Sequence, residues 1–97
     1  MAQITQQDNR WLVSGDITAD HICALLAESA TLDHGRDIEI DLAAVSDVDT
    51  ASISLLFEWL RQAHASKHKV SFVNLPKNLL SLATLYGVLE LIPQSSH

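Results

Sequence analysis

The sequence predicts an α/β fold, a mixed sheet of four to five strands accompanied by three helices. Three observations carry that expectation. From Ile38 to Leu42 the apolar Ile38, Ile40 and Leu42 alternate with Glu39 and Asp41, the period-two pattern of a strand. From Ile53 the spacing changes, and Ile53, Leu56, Phe57, Leu60 and His64 share one face of a helix. Along the rest of the chain, strand-like runs are separated by helix-like ones, which implies right-handed crossovers and partly parallel pairing.

Each element has its own local reason. Ile4 to Gln7 reads as a short edge strand, Asp8-Asn9 as a turn, and Arg10 to Ser14 as a second strand carrying Trp11, Leu12 and Val13. Gly15-Asp16 closes this hairpin. A helix follows, with Thr18 or Asp20 as its cap and Ile22, Leu25, Leu26 and Ser29 to Ala30 on its inner side. Residues 32–36, with Asp33 and Gly35, read as a loop. The central strand and helix come next, and the helix ends near residues 65–68, where Lys67, His68 and Lys69 suit the negative end of its dipole. Val70, Phe72 and Val73 mark another strand. Asn74-Leu75-Pro76 turns into a last helix with Leu79, Leu80, Leu82, Ala83 and Tyr86 at its apolar positions. Pro76 is tolerated at its start, where an amide would be unpaired anyway, and Gly87 marks its stop. Val88 to Ile92 is expected to add a short final strand that Pro93 ends.

The 97 residues are expected to form one domain over 1–97, and an apolar share of 47% suffices for a core without staples. A net charge of −6 argues against nucleic acid, which needs a basic patch, and against docking on anionic lipid. The one cysteine, Cys23, lies among Ile22, Leu25 and Leu26 and reads as a buried thiol. The N-terminus has neither the basic start nor the apolar run of a signal peptide. The apolar stretch from Leu79 to Ile92 is too short and too interrupted to span a bilayer. A soluble, cytoplasmic protein is expected.

Catalytic motifs are missing: there is no Gly-rich phosphate loop and no Gly-x-Ser-x-Gly elbow. His64 and His68 are four apart on a helix, but no further ligand stands at suitable spacing, so they read as a cationic helix end. Asp41, Asp47 and Asp49 lack the second acidic segment that a Mg²⁺ site would need, and Asp47 and Asp49 read as solvating a turn. No catalytic residue, metal or cofactor is expected.

The turn from Asp47 to Thr50 is the site with the most physical content. Asp49 or Thr50 can cap the helix that follows, because a short side-chain oxygen accepts from a free amide of the first turn. Three strand-to-helix turns, at residues 16–18, 47–50 and 74–76, are expected at one edge of the sheet, where the carboxyl ends of parallel strands carry function. Small Ala51 and Ser52 would let another surface approach Thr50. On the far side of the same helix, Leu55 and Trp59 are either covered by another helix or the C-terminal tail or form an exposed docking face, for which Trp is a frequent anchor.

Asp47-Val48-Asp49-Thr50-Ala51-Ser52, together with Gly15-Asp16-Ile17 and Leu85-Tyr86-Gly87-Val88, resembles the STAS domain family over essentially the whole chain. That family includes anti-sigma-factor antagonists and the cytoplasmic tails of sulfate transporters. Residues 41–50 and 82–86 most resemble its MlaB branch, the small cytoplasmic STAS subunits of Mla-type ABC transporters. The resemblance implies a non-enzymatic subunit that binds the transporter's ATPase in a complex with permease and substrate-binding subunits. It implies support of phospholipid transport that maintains outer-membrane lipid asymmetry, and peripheral association with the inner membrane through that complex. The matching Thr50 would serve partner binding; the polar turn adds Asp49, Ala51 and Ser52, and the helical spacing adds Leu55 and Trp59, as further candidate partner-binding residues. In anti-sigma-factor antagonists the matching hydroxyl is phosphorylated by a partner kinase, which gives Thr50 a second implied role. Ser52 stands where the family commonly carries Gly.

Overall fold

Four strands form one sheet in the order β1-β2-β3-β4 in the computed structural model, which describes residues 2–30 and 36–94. The strands are β1 (Gln3–Gln7), β2 (Arg10–Ile17), β3 (Ile38–Val48) and β4 (Val70–Val73). Three α-helices alternate with them: α1 (Ile22–Ser29), α2 (Thr50–Ala65) and α3 (Lys77–Leu85). β1 and β2 are antiparallel, while β2, β3 and β4 run parallel. The expected mixed sheet is therefore present, with its parallel carboxyl ends at one edge. The expected loop at 32–36 lies, except for Arg36, outside the described residues.

Two strands run longer than the sequence pattern suggests. β2 continues through Gly15 to Ile17, and β3 continues from Leu42 to Val48. The pairing of β2 with β3 slips twice: Leu12 and Ser14 face Asp41 and Ala44, and Gly15 and Ile17 face Val45 and Val48. At each slip β3 carries one extra residue, so its inward parity changes. Ile38, Ile40 and Leu42 are buried, and after the first slip Val45 is the buried residue. Gly15 accommodates the distortion at φ +88, a region disfavoured for other residues.

Trp11, Val13 and Ile17 of β2, Ile40 and Leu42 of β3, and Phe72 of β4 build the core with Leu25 of α1, Leu56 of α2 and Leu79 of α3. On α2 the buried positions are Ser52, Ile53, Leu55, Leu56, Trp59 and Ala63, whereas Phe57 and Leu60 are half-buried and His64 is exposed. Ile53 and Leu56 of the predicted face are thus buried as expected, while the inward face is rotated away from Phe57, Leu60 and His64 toward Leu55 and Trp59. The cause is α1. Its Ser29 hydroxyl accepts the Trp59 indole N–H at 3.0 Å and donates to the Leu26 carbonyl at 2.9 Å. Trp59 also meets Trp11 edge to face, with centroids 5.8 Å apart and planes at 85°.

Several local expectations need correction. α1 starts after His21 without a side-chain cap, because the Thr18 hydroxyl is within 3.2 Å of the His21 ring and the Thr18 carbonyl accepts the His21 amide. Cys23 is exposed rather than buried, since α1 turns Leu25 and Ser29 to the core and leaves Cys23 and Ala24 outside. Val88 to Ile92 forms no fifth strand. A short 3₁₀ turn spans Leu89–Leu91, and a single parallel bridge joins Gln94 to Phe72.

Helices α2 and α3 end alike. After α2 the His68 amide donates to the Ala63 carbonyl (2.9 Å) and the Lys67 amide to that of His64 (3.0 Å), with Lys67 at φ +61. After α3 the Val88 amide reaches Ala83 (3.0 Å) and the Gly87 amide reaches Thr84 (3.0 Å), with Gly87 at φ +69. Both are Schellman turns, one built on the expected glycine and one on a lysine. At the outer edge of the sheet, the Ile4 amide donates to the Glu28 carboxylate of α1 at 3.0 Å. Beyond β4, the Phe72 amide donates to the Pro93 carbonyl at 2.8 Å.

Candidate functional site

The polar turn between β3 and α2 lies at the carboxyl edge of the parallel strands. Asp49, in an extended conformation at φ −140, is the N-cap of α2. Its Oδ1 accepts the Ala51 amide at 2.9 Å, the capping contact that satisfies a first-turn donor. Its Oδ2 accepts the Ala19 amide at 3.0 Å. One carboxylate therefore fixes the start of α2 and the turn after β2 together. The Asp49 carbonyl takes the Ser52 amide at 2.9 Å and the Ser52 hydroxyl at 2.6 Å. The third turn joins through Asn78, whose amide group donates to the Ser46 carbonyl at 2.8 Å while its oxygen accepts the Leu79 amide at 2.9 Å.

This frame leaves Thr50 exposed as the first residue of α2. Its Oγ1 lies 3.2 Å from the hydroxyl of Tyr86, at the end of α3. Tyr86 is 53% exposed, and neighbouring Leu85 is 77% exposed. Ala51 is half-buried. The arrangement can donate or accept a hydrogen bond at two adjacent hydroxyls and offers apolar surface beside them. Asp47 is exposed close by in sequence, so the edge carries negative charge.

The structure separates the predicted site residues into two groups. Asp49, Thr50 and Ala51 stand together at the edge. Ser52 is fully buried, and its hydroxyl serves the turn rather than an outside partner. Leu55 and Trp59 are each only 1% exposed, so the expected docking face on α2 is instead an internal contact covered by α1. Sequence reasoning missed Tyr86 as a surface group, having counted it among the apolar positions of α3. Its position just before Gly87 is the available signal, because a helix that stops there carries its last side chain off the packed stripe.

A second polar cluster secures the sheet. The Arg10 guanidinium meets the Asp41 carboxylate at 2.6 Å. Burial pushes the Asp41 carboxyl up, but its hydrogen bonds with Arg10, the Ala43 amide and the Asn74 side chain outweigh that and hold it below the usual value. Asp41 is thus a strut between strands, apart from the helix cap made by Asp49. Among the described residues, no group of three or more His, Cys, Asp or Glu side chains is placed to hold a metal ion.

The fold and the hydroxyl-bearing turn define a STAS-type domain. An anti-sigma-factor antagonist (STAS) domain protein from Planctomyces limnophilus has the same fold, with a TM-score of 0.72 and 11% identity over 99% of this chain and 90% of that one. SpoIIAA, an anti-sigma factor antagonist in its unphosphorylated form, superposes with a TM-score of 0.69 and 13% identity, covering 100% of this chain and 88% of its own. A Thermotoga maritima protein assigned to the same class reaches 0.79 at 10% identity, over 99% and 86%. These likenesses establish the fold. The family model described as "Mlab, STAS domain" matches residues 1–93, and the chain belongs to that family. No curated protein matches it.

Proposed function

We propose that this chain is a non-catalytic subunit that binds the cytoplasmic ATPase of an Mla-type ABC transporter and supports phospholipid transport maintaining outer-membrane lipid asymmetry. The observation that carries the reading is the exposed Thr50 hydroxyl, held beside Tyr86 on a turn braced by Asp49, in a member of the MlaB STAS family. The transporter's permease and substrate-binding subunits complete the complex, and the chain sits at the inner membrane only through them. Among the described residues no helix is long and apolar enough to cross a membrane.

The test is Thr50→Glu. The new carboxylate sits at the positive end of α2, which favours it by about 0.3–1 kcal/mol, so the domain stays folded. At an interface the same charge loses its water without a prepared counter-ion, which costs more than the dipole returns. The expected outcome is an unchanged melting temperature with loss of co-purification and of full ATPase rate in the assembled complex. Normal assembly and rate would sink the assignment of this turn as the docking site.

A second reading is an anti-sigma-factor antagonist switched by phosphorylation of Thr50. The exposure of that hydroxyl and the fold shared with SpoIIAA favour it. Capture from native lysate separates the two: an ABC ATPase with permease supports the first, and a kinase-type anti-sigma factor supports the second.

A further inference from the structure

At the opposite end of α2 from Thr50, a groove of about 620 Å³ runs between the helix, the start of β4 and the C-terminal segment. Its floor is apolar: Phe57 and Leu60 of α2, Val70 of β4 and Pro93. Phe57 and Leu60 are large side chains left half-buried there, because α1 covers the other flank of the helix at Trp59. The volume lies within the range of small-molecule pockets.

The rim has the opposite character. Residues 61–69 contain three of the chain's six Lys and Arg, two of its five His, and none of its twelve Asp and Glu. Two of these groups are already engaged. Arg61 is paired with Glu58, and His68 Nδ1 lies 3.5 Å from the Asp37 carboxylate. Lys69 and His64, both exposed on the groove wall, make no ion pair among the described residues. The negative end of the α2 dipole is also attenuated here, since the Ala63 and His64 carbonyls accept the amides of His68 and Lys67. The Asp37 carboxylate, which also accepts the Lys69 backbone amide at 2.9 Å, lies on the His68 side of the rim, so the Lys69 ammonium and the His64 ring are the groups left to meet an anionic head above the apolar floor.

The geometry points to a site for a soluble, single-tailed anionic amphiphile, a medium-chain carboxylate whose head meets Lys69 and His64 and whose tail covers Phe57, Leu60 and Val70. A charge-assisted hydrogen bond at the head and burial of the tail supply complementary contributions. This site is separate from the Thr50 edge and does not rest on the partner assigned there.

The experiment titrates decanoate, below its micelle concentration, into the full chain and follows backbone amide shifts. Decanol and decyltrimethylammonium serve as tail-matched controls. The expected result is saturable decanoate binding with shifts centred on Ala63, Val70 and Ser71. Lys69→Glu weakens it at least tenfold, and the alkylammonium ion binds at least tenfold more weakly than decanoate. The proposal is overturned by absence of saturation, by decanol or the alkylammonium ion binding as tightly, or by shifts centred on Leu85 and Leu91. Binding to phosphatidylglycerol vesicles without binding of decanoate overturns it as well.

Discussion

Leu55 and Trp59 form one apolar pair on a helix, and Leu85, Tyr86 and Leu91 form another apolar set near the C-terminal end. The first pair is 1% exposed, whereas the second set is 53–77% exposed. Side-chain chemistry does not separate them, since each set includes leucine and an aromatic residue with a polar atom. What differs is the covering element. Trp59 has α1 over it, with Ser29 placed to take the indole N–H, and Trp11 against its ring. Tyr86 stands at the point where α3 stops, and its hydroxyl is turned toward Thr50. A buried aromatic with a satisfied N–H is a core residue, and an exposed one paired to a surface hydroxyl is available to a partner.

The largest expected effect is on the covered side. Trp59→Ala removes a fully buried ring and leaves the Ser29 hydroxyl without its indole donor, so stability should fall by about 3–5 kcal/mol in chemical denaturation. A loss below about 1 kcal/mol would show that α1 does not cover this face. Tyr86→Ala makes the converse test. Stability should change by no more than about 0.5 kcal/mol, while affinity for the proposed ATPase partner falls by about 2 kcal/mol, as for an aromatic anchor. Unchanged affinity would remove Tyr86 from the interface.

The smallest effects concern the turns that aim these residues. Gly87→Ala places a Cβ in open space, so its cost is conformational, about 1 kcal/mol. Lys67→Gly, at the matching turn after α2, should raise stability by about 0.5–1 kcal/mol, because lysine there occupies φ +61. Thermal melts of the two variants give opposite signs if both turns are Schellman turns in solution.

The sequence revealed most where the physics is local. The cap at Asp49 follows from a short acidic side chain before a helical run, and the strand at Ile38 to Leu42 follows from alternation. The STAS family was legible in the residues around Thr50, and the match over residues 1–93 agrees. The extension of β3 to Val48 was not legible, because two slips against β2 break the alternation that marks a strand. The phase of α2 was legible only in part, at Ile53 and Leu56, for a different reason. Apolar residues occupy most of its circumference, and only the placement of α1, distant in sequence, decides which of them become core. The expected final strand failed similarly: Val88 to Ile92 has strand-forming residues, but the bridge to the sheet forms beyond them, from Gln94 to Phe72, and Leu89–Leu91 turns as a 3₁₀ helix.

The Glu28 carboxylate on the Ile4 amide has a consequence for how the molecule associates. An uncovered outer strand is a template onto which a neighbouring chain can zip. Here the helix that follows β2 reaches back and occupies a donor on β1, while Pro93 occupies the corresponding donor on β4. Both margins of the sheet are closed at one rung by the chain's own groups. Sheet-to-sheet polymerisation is discouraged on either side. Replacing Glu28 by an apolar residue would reopen that margin, and crowded solution would then reveal whether the molecule remains monodisperse.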